Sequence, residues 1–367
     1  MRLSPIISMY VARYFAIAFI ATLFAIIGVT LLFDSIELLR RLSGDTNVGF
    51  LTVVEMALLK MPQMLSTVMP FAVMLGAMIV FWRLTRTNEL VVIRAVGVSA
   101  WQFLAPVLIL VFVFGGFNLA VLNPLAASMY RQYERMEDSL QMRGDNPLTI
   151  SSGGLWMREA TPGGQAVIHA SGVRQIDGRL KMQHISLLSL AADGALISRY
   201  EAVTGEIENH LLTLSDVWIL KAGEPSRHAE HITQPTSLTL SKIQEKFSSP
   251  ASLSFWELPG FIKFFESAGF SAHRHLLQWH SLLASPLLLV AMVFVAAVFS
   301  LNPNVRKGGL LARVVAGVGV GFGFYFFTRI TYALGMSSTL PVFLAAWSPV
   351  VVTLLIALAI LFHQEDG

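Results

Sequence analysis

The amino-acid sequence predicts an α-helical membrane protein with six transmembrane helices in a 3+3 arrangement, interrupted by an inserted all-β, jelly-roll-like domain. Three observations predict it. Hydrophobic residues fill 54% of the 367 positions and charged residues only 13%, where a soluble domain carries roughly 25% charged residues. So few charges cannot cover a compact water-facing surface, which argues against a water-soluble enzyme. Six apolar runs reach the ~20 residues that a helix needs to cross a bilayer. Between the third and fourth runs lies a stretch of different character, built of short alternating segments and turn dipeptides.

The six runs are Tyr14–Phe33, Met61–Trp82, Trp101–Leu122, Ser281–Leu301, Leu310–Thr328 and Leu340–Phe362. The first exceeds the roughly 7–15 apolar residues of a secretory signal and lacks a small-residue cleavage site, so it reads as a retained span. The middle stretch holds "GGLWMREA", "GGQAVIHASGV", "GRLKMQHISLLSL", "GALISRYEAVTGEI" and "HLLTLSDVWIL". Gly163-Gly164, Asp177-Gly178 and Asp193-Gly194 separate them as hairpin turns require. Runs such as "RLKMQHISLL" alternate polar and apolar residues, so one face of the sheet is covered, and six or seven such strands suggest a β-sandwich or jelly roll. The domain limits follow: 1–128 for three spans with a cytoplasmic helix near 84–98, 129–268 for the β-domain, and 269–367 for three more spans.

Lys and Arg in short loops set the orientation. Arg83, Arg86 and Arg94 mark the link between spans two and three, and Arg306, Lys307 and Arg313 mark that between spans four and five. The 5–6 loop has neither residue type, although Arg329 lies near that end of span five. Both termini are then cytoplasmic and the β-domain lies outside, in the periplasm of a Gram-negative cell. The net charge of +3 reflects such loops, and no run of five basic residues points to nucleic acid.

Enzymatic signatures are missing. There is no G-x-x-x-x-G-K-[ST] loop, no G-x-S-x-G elbow and no cysteine. Gly317, Gly319, Gly321 and Gly323 lie inside a hydrophobic run with no preceding strand, where small residues serve helix packing and not a dinucleotide. His273, His275 and His280 are two and five residues apart, not the i, i+4 pair that a helical metal site uses, and read as interfacial polar residues.

Two local signals remain. In "FWRLTRTNELVVIRAVGVS", Arg83, Arg86 and Glu89 precede Leu90–Ile93, an apolar run too short to span, with Arg94, Ala95 and Gly97 behind it. A short amphipathic helix of this kind lies along a membrane face or fits a groove on a partner; the simpler account is a tight turn with positive-inside arginines. The second signal is Arg40 and Arg41 after span one, against the charge rule, with Arg131 and Arg135 after span three and Lys60 opening span two. These residues form either a cationic rim for phosphate, which Arg binds in a bidentate manner, or a balanced surface in which Glu37, Glu55, Glu134, Glu137 and Asp138 neutralise them.

Architecture and motifs together resemble the lipopolysaccharide export permease family LptF/LptG, over nearly the whole chain. The resemblance is carried by "TRTNELVVIRAVGVS", "SSGGLWMRE" and "NPNVRKGGLLARVVAGVGVGFGFYFF", the last closer to the LptG branch. It implies a permease subunit of an ATP-driven exporter in the inner membrane, which extracts lipopolysaccharide and passes it to a periplasmic β-jelly-roll bridge. The implied partners are an LptB-type ATPase dimer, an LptF-type permease, an LptC-type bitopic protein and lipopolysaccharide. No cofactor is implied in this chain, ATP and Mg being bound by the partner ATPase. The resemblance makes Glu89, Leu90, Ile93, Ala95 and Gly97, flanked by Arg86 and Arg94, the ATPase-coupling helix. It makes Arg40 and Arg41 lipid-phosphate contacts, with Lys60, Arg131 and Arg135 beside them. The competing class is a membrane-anchored sensor or assembly protein whose outer β-domain binds a ligand, a reading weakened by the short "HQEDG" tail. A secondary transporter would want ionisable residues near mid-span, which the six runs lack.

Overall fold

The computed structural model describes residues 5–42, 49–95, 97–141, 148–151, 154–161, 164–176, 179–191, 194–208, 211–221, 223–236, 249–267, 271–301 and 310–366. Arg306 and Lys307, and Gly163, Asp177, Gly178 and Asp193 of the expected hairpin turns, lie outside the described residues. The chain divides into two compact units. One comprises Met1–Tyr133, Ala251–Pro259 and His273–Gly367, the other Glu134–Pro250 and Gly260–Ala272.

The helices are α1 (Pro5–Leu42), α2 (Phe50–Arg86), α3 (Glu89–Ala95), α4 (Ala100–Phe117), α5 (Asn123–Gln141), α6 (Leu258–Ser267), α7 (His273–Ser300), α8 (Leu310–Met336) and α9 (Val342–Asp366). Among the described residues, Pro5–Arg41, Phe50–Arg86, Ala100–Glu137, His273–Ser300 and Val342–Gln364 are long and apolar enough to cross a membrane. The remaining predicted span, Leu310–Thr328, falls on α8, a continuous helix of 27 residues. Helices overrun the apolar runs that predicted them. At 1.5 Å per residue the 38 residues of α1 extend about 57 Å, nearly twice the ~30 Å hydrocarbon layer, so its ends reach past the lipid tails.

A large apolar core ties most of the helical unit together, and a smaller cluster holds Leu277 of α7 against Ala345 and Ala346 of α9. Phe15 of α1, Met74 and Phe81 of α2, Phe103 of α4, Val293 of α7 and Leu361 of α9 are all buried in the large core, and Leu90 of α3 joins them. Gly76 and Gly115 set two of its crossings. A Cβ on Gly76 would sit 2.9 Å from Phe19 Cα, and one on Gly115 would sit 2.8 Å from Pro286 Cα, so only glycine lets these backbones approach. Among the described residues, helix α8 contributes only the partly buried Phe324 to this core. It exposes Val315, Phe322, Phe326 and Ile330, as α1 exposes Ile17, Phe24, Leu32 and Phe33. In water such faces would aggregate; in a bilayer they meet lipid or another apolar surface.

Helix α4 does not stop at Phe117. Residues Asn118–Leu122 form a π-turn in which the Asn123 N–H reaches the Asn118 carbonyl, and α5 continues from it. Pro124 follows, and without an N–H it leaves the Ala120 carbonyl unserved by the helix.

The second unit holds one antiparallel sheet in sequence order: β1 (Leu148–Ser151), β2 (Gly154–Thr161), β3 (Gly164–Ile176), β4 (Arg179–Ala191), β5 (Leu196–Glu208), β6 (Leu211–Lys221) and β7 (Arg227–Pro235). Of the two expected architectures, the two-sheet sandwich is therefore not formed by the described residues, because short hairpin connections keep sequence neighbours paired. Leu180, Met182 and Ile185 of β4, Ala170 of β3, and Leu214 and Val217 of β6 are nonetheless buried. The register shows where the strands bend. Ser171, His184, Val203, Asp216 and Glu230 fall in a row across β3–β7 and are skipped in every ladder. His184 and Asp216 sit in the left-handed region, at φ 48° and 57°. The register resumes beyond the row without an offset, so no residue is inserted; the row is a kink at which β4 and β6 switch alternation, and apolar residues face inward on both sides of it.

Candidate functional site

The link between α2 and α4 is built by local signals. The Thr87 N–H returns to the Arg83 carbonyl at 2.9 Å, and Asn88 takes a left-handed φ of 61° that reverses the chain into α3. Gly97, at φ 84°, closes α3: its N–H reaches Arg94 O at 2.9 Å and the Val98 N–H reaches Ile93 O at 3.4 Å, a Schellman cap that needs glycine's freedom. Ser99 and Gln102 then form a reciprocal capping box that starts α4.

Within α3 the four-residue apolar run splits between two faces. Leu90 is 4% exposed and Ile93 packs beside it on the core, while Val91 and Val92 are 56% and 63% exposed. Ala95 and Gly97 are exposed as well, so the outward face comprises Val91, Val92, Ala95 and Gly97. Glu89 is held from two sides: its carboxylate accepts from the Tyr10 hydroxyl and from the Thr87 hydroxyl, each at 2.9 Å. The Arg83 guanidinium lies 4.2 Å from the Tyr14 ring centre, and that of Arg86 lies 5.3 Å from the Trp82 ring. The coupling candidates are thus fastened to α1 as well as to α2. Arg94 sits in the last turn of α3, where a cation complements the helix dipole.

Four of the five basic candidates have acidic partners. Arg40 and Arg41, highly exposed, both pair with Glu37, at 2.9 and 3.0 Å. Lys60 pairs with Asp34 of α1 at 2.5 Å in a half-buried position, with the Tyr133 ring 5.7 Å from its ammonium. Arg131 donates to Glu257 and to the Ser252 carbonyl, each at 3.0 Å. Arg135, one turn on, is exposed. Two of the five are therefore ion-paired on one helix, two join different segments, and one is open to its surroundings.

Sequence reasoning missed the segment that receives Arg131. In residues 251–257, the Phe255 N–H donates to Asn123 Oδ1 at 2.7 Å, and Trp256 Nε1 donates to the Ala120 carbonyl at 3.2 Å. That carbonyl is the acceptor left by Pro124, so a tryptophan supplies the donor that proline lacks. Phe255 also stacks near-parallel on Trp279 of α7, at 6.2 Å. Glu257 is partly buried, which pushes its carboxyl up, but the Ser254 N–H and hydroxyl and the Arg131 guanidinium together hold it below the ordinary 4.5. An isolated Trp-Glu pair before a Leu-Pro is the only sequence trace of this strap.

The glycines of α8 follow the packing reading. A Cβ on Gly317 or Gly321 would come within 2.5 Å of Met78 Cε or Met74 Cε of α2, whereas Gly319 and Gly323 have open space beside them. The histidines act one by one: His273 Nε2 meets the Gly335 carbonyl at 2.5 Å, and His280 accepts from Trp347 at 3.4 Å. Among the described residues no group of His, Asp or Glu is arranged to hold a metal ion.

These features define a class: a multi-pass membrane protein with a short outward-facing helix between its second and third helices and an all-β insertion between its helical halves. The sequence comparisons place it further. The chain belongs to the lipopolysaccharide export system permease LptF/LptG family, whose family model matches residues 9–363. It is 24% identical to the lipopolysaccharide export system permease protein LptG of Escherichia coli K12, over 98% of this chain and 99% of that protein. It is 23% identical to the protein of the same name in Haemophilus influenzae, over 97% of this chain and 98% of that protein.

Proposed function

We propose that the chain is the LptG-type permease subunit of an ATP-driven exporter that extracts lipopolysaccharide from the inner membrane and passes it to a periplasmic β-jelly-roll bridge. The observation that carries this reading is the family match over the whole chain together with α3, whose Val91 and Val92 form an apolar outward patch beside the Glu89–Tyr10 latch. In this reading both termini and α3 are cytoplasmic and the β-domain is periplasmic. An LptB-type ATPase dimer binds α3 and supplies the ATP and Mg chemistry. An LptF-type permease pairs laterally, and an LptC-type protein completes the assembly.

The energetics suit these surfaces. Exposing acyl chains to water costs about 0.8 kcal/mol per CH₂, so extraction requires an apolar lining that replaces the bilayer. The exposed apolar faces of α1 and α8 supply such a lining, and Arg40, Arg41 and Arg135 present guanidinium groups for lipid phosphates. ATPase closure, felt at α3, reaches α1 directly through Tyr10 and Tyr14.

The test is purification of the tagged full-length chain from its native membrane in mild detergent, with mass spectrometry of proteins and lipid. The expected result is a soluble ATPase, a second permease subunit and lipopolysaccharide in the same particle. Recovery of the chain without ATPase or lipopolysaccharide would overturn the exporter reading and favour the sensor or assembly class.

A further inference from the structure

A cavity of about 380 Å³ lies inside the helical unit among α2, α7, α8 and α9. The residues of α2 that reach it, Gln63 to Phe71, occupy the middle of that helix. Its polar side is set by Arg329, Tyr325 and Tyr332 of α8 with Gln278 of α7, and no aspartate or glutamate lines it. Arg329 donates through Nε to the Tyr325 hydroxyl at 3.0 Å, and its guanidinium rests 5.1 Å from the same ring. The Tyr332 hydroxyl donates to Gln278 Oε1 at 3.3 Å. A guanidinium has five N–H donors, and the tyrosine takes one of them. Arg329 is exposed in the isolated chain, and a cation on a membrane helix that borders a cavity without a counter-charge marks a functional site.

The rest of the wall is mostly apolar, with Phe71, Leu288 and Val350 facing the space, and Gln63, Thr67 and Ser281 add polar groups to it. An anion that also carries apolar substance fits both sides, whereas a free inorganic anion gains nothing from the apolar wall. Arg selects phosphate oxygens by its bidentate geometry. The volume lies near the lower end of the ~300–1,000 Å³ range of small-molecule sites, enough for one headgroup and the start of its chains. None of Arg40, Arg41, Lys60, Arg131 or Arg135 lines it, so it is separate from the surfaces above.

We propose that this cavity binds the phosphate headgroup of a single anionic membrane lipid, with Arg329 as the charge-pairing residue. The inference rests on the membrane-spanning fold and stands whether or not the export reading does. The test uses the purified full-length chain titrated with phosphatidylglycerol, phosphatidylcholine or inorganic phosphate and read by native mass spectrometry. Phosphatidylglycerol is expected to be retained over phosphatidylcholine, whose quaternary ammonium would sit beside the arginine. Arg329→Gln should weaken it about tenfold or more, the scale of losing charge-assisted hydrogen bonds. Thr328→Phe, which fills the cavity and keeps the charge, should do the same. Ser285→Phe fills the space from α7, so a folding failure of one filler leaves the other to decide. Full retention in a folded filler variant would mean that Arg329 only meets lipid at the membrane surface, and the cavity claim would fail. Equal retention of the two lipids, or displacement by inorganic phosphate, would overturn it too.

Discussion

At the residue scale, the basic positions that sequence patterning groups into one rim separate by partner. Lys60 and Asp34 pair across α1 and α2 in a half-buried position, and removing one member of such a pair leaves a charge without compensation, at about 3 kcal/mol or more when burial is complete. We expect Lys60→Met to lower the thermal stability of the purified protein, and Lys60→Met with Asp34→Leu to restore most of it. A double variant as unstable as the single one would mean that Lys60 acts through something other than Asp34. Glu257 gives a pH signature. Its carboxyl is held below 4.5 by Ser254 and Arg131, so its contribution to stability is present above that value and is lost as pH falls through the lower folded value. Glu257→Gln should therefore flatten the acid limb of the unfolding profile below pH ~4.5, with little change near neutrality beyond a constant offset. Lys60 and the arginines at 40, 41 and 131 were legible in the sequence as charges at an interface. Their partners were legible only where sequence spacing sets geometry: Glu37 lies three and four residues away, but Asp34 and Glu257 are far along the chain from the residues they meet.

At the element scale, the existence of α3 was readable from "NELVVIRAVG" because polar residues and a glycine bracket a run too short to span. Which apolar residues face outward was not, since four consecutive apolar positions leave the helix rotation undetermined. The core settles it by burying Leu90, and 100° per residue then turns Val91 and Val92 out. Leu90 and Ile93 therefore face the core, and Val91 and Val92 are the side chains of the apolar run that stand outward. Under the exporter reading, Val91→Asp with Val92→Asp should abolish ATPase copurification while leaving the unfolding temperature near wild type, because both side chains are exposed. Leu90→Asp should destabilise the fold instead. Equal ATPase recovery from the double variant and wild type would sink the docking role of this face. The strap at 251–257 and the π-turn at Asn118–Leu122 belong to the opposite case. A proline after a buried asparagine signals a disturbed helix, but the donor that repairs it arrives from a tryptophan more than a hundred residues later. The kinked row of the sheet left a fainter trace. In β4 the alternation of "KMQHISLL" changes phase at the adjacent polar pair Gln183-His184, and only the backbone shows that the strand turns there to keep its inward face.

At the scale of the whole molecule, hydropathy made the helical and β parts visible, because crossing a bilayer and alternating across a sheet leave different periodicities. Orientation depends on something weaker, the placement of a few Lys and Arg residues, and here it carries the functional reading with it. An ATPase reaches α3 only if α3 is cytoplasmic, and a bridge receives lipid from the β-domain only if that domain is outside. The chain has no cysteine, so a single introduced thiol reports its own side of the membrane without a mutated background. Asn88, exposed between α2 and α3, and Ser226, exposed before β7, suit the purpose. Their backbones differ: Asn88 has a positive φ that a cysteine adopts only with strain, so Thr87, exposed beside it, is the better cytoplasmic reporter. In intact spheroplasts, a membrane-impermeant maleimide should label Ser226→Cys and spare Thr87→Cys, and permeabilisation should expose both. The reverse pattern would place α3 outside, beyond reach of any cytoplasmic ATPase, and would leave Val91 and Val92 as a contact for some periplasmic protein. The expected pattern fixes α3 on the ATP side and the sheet on the other, which is the arrangement that lets one chain join hydrolysis within the cell to lipid movement outside it.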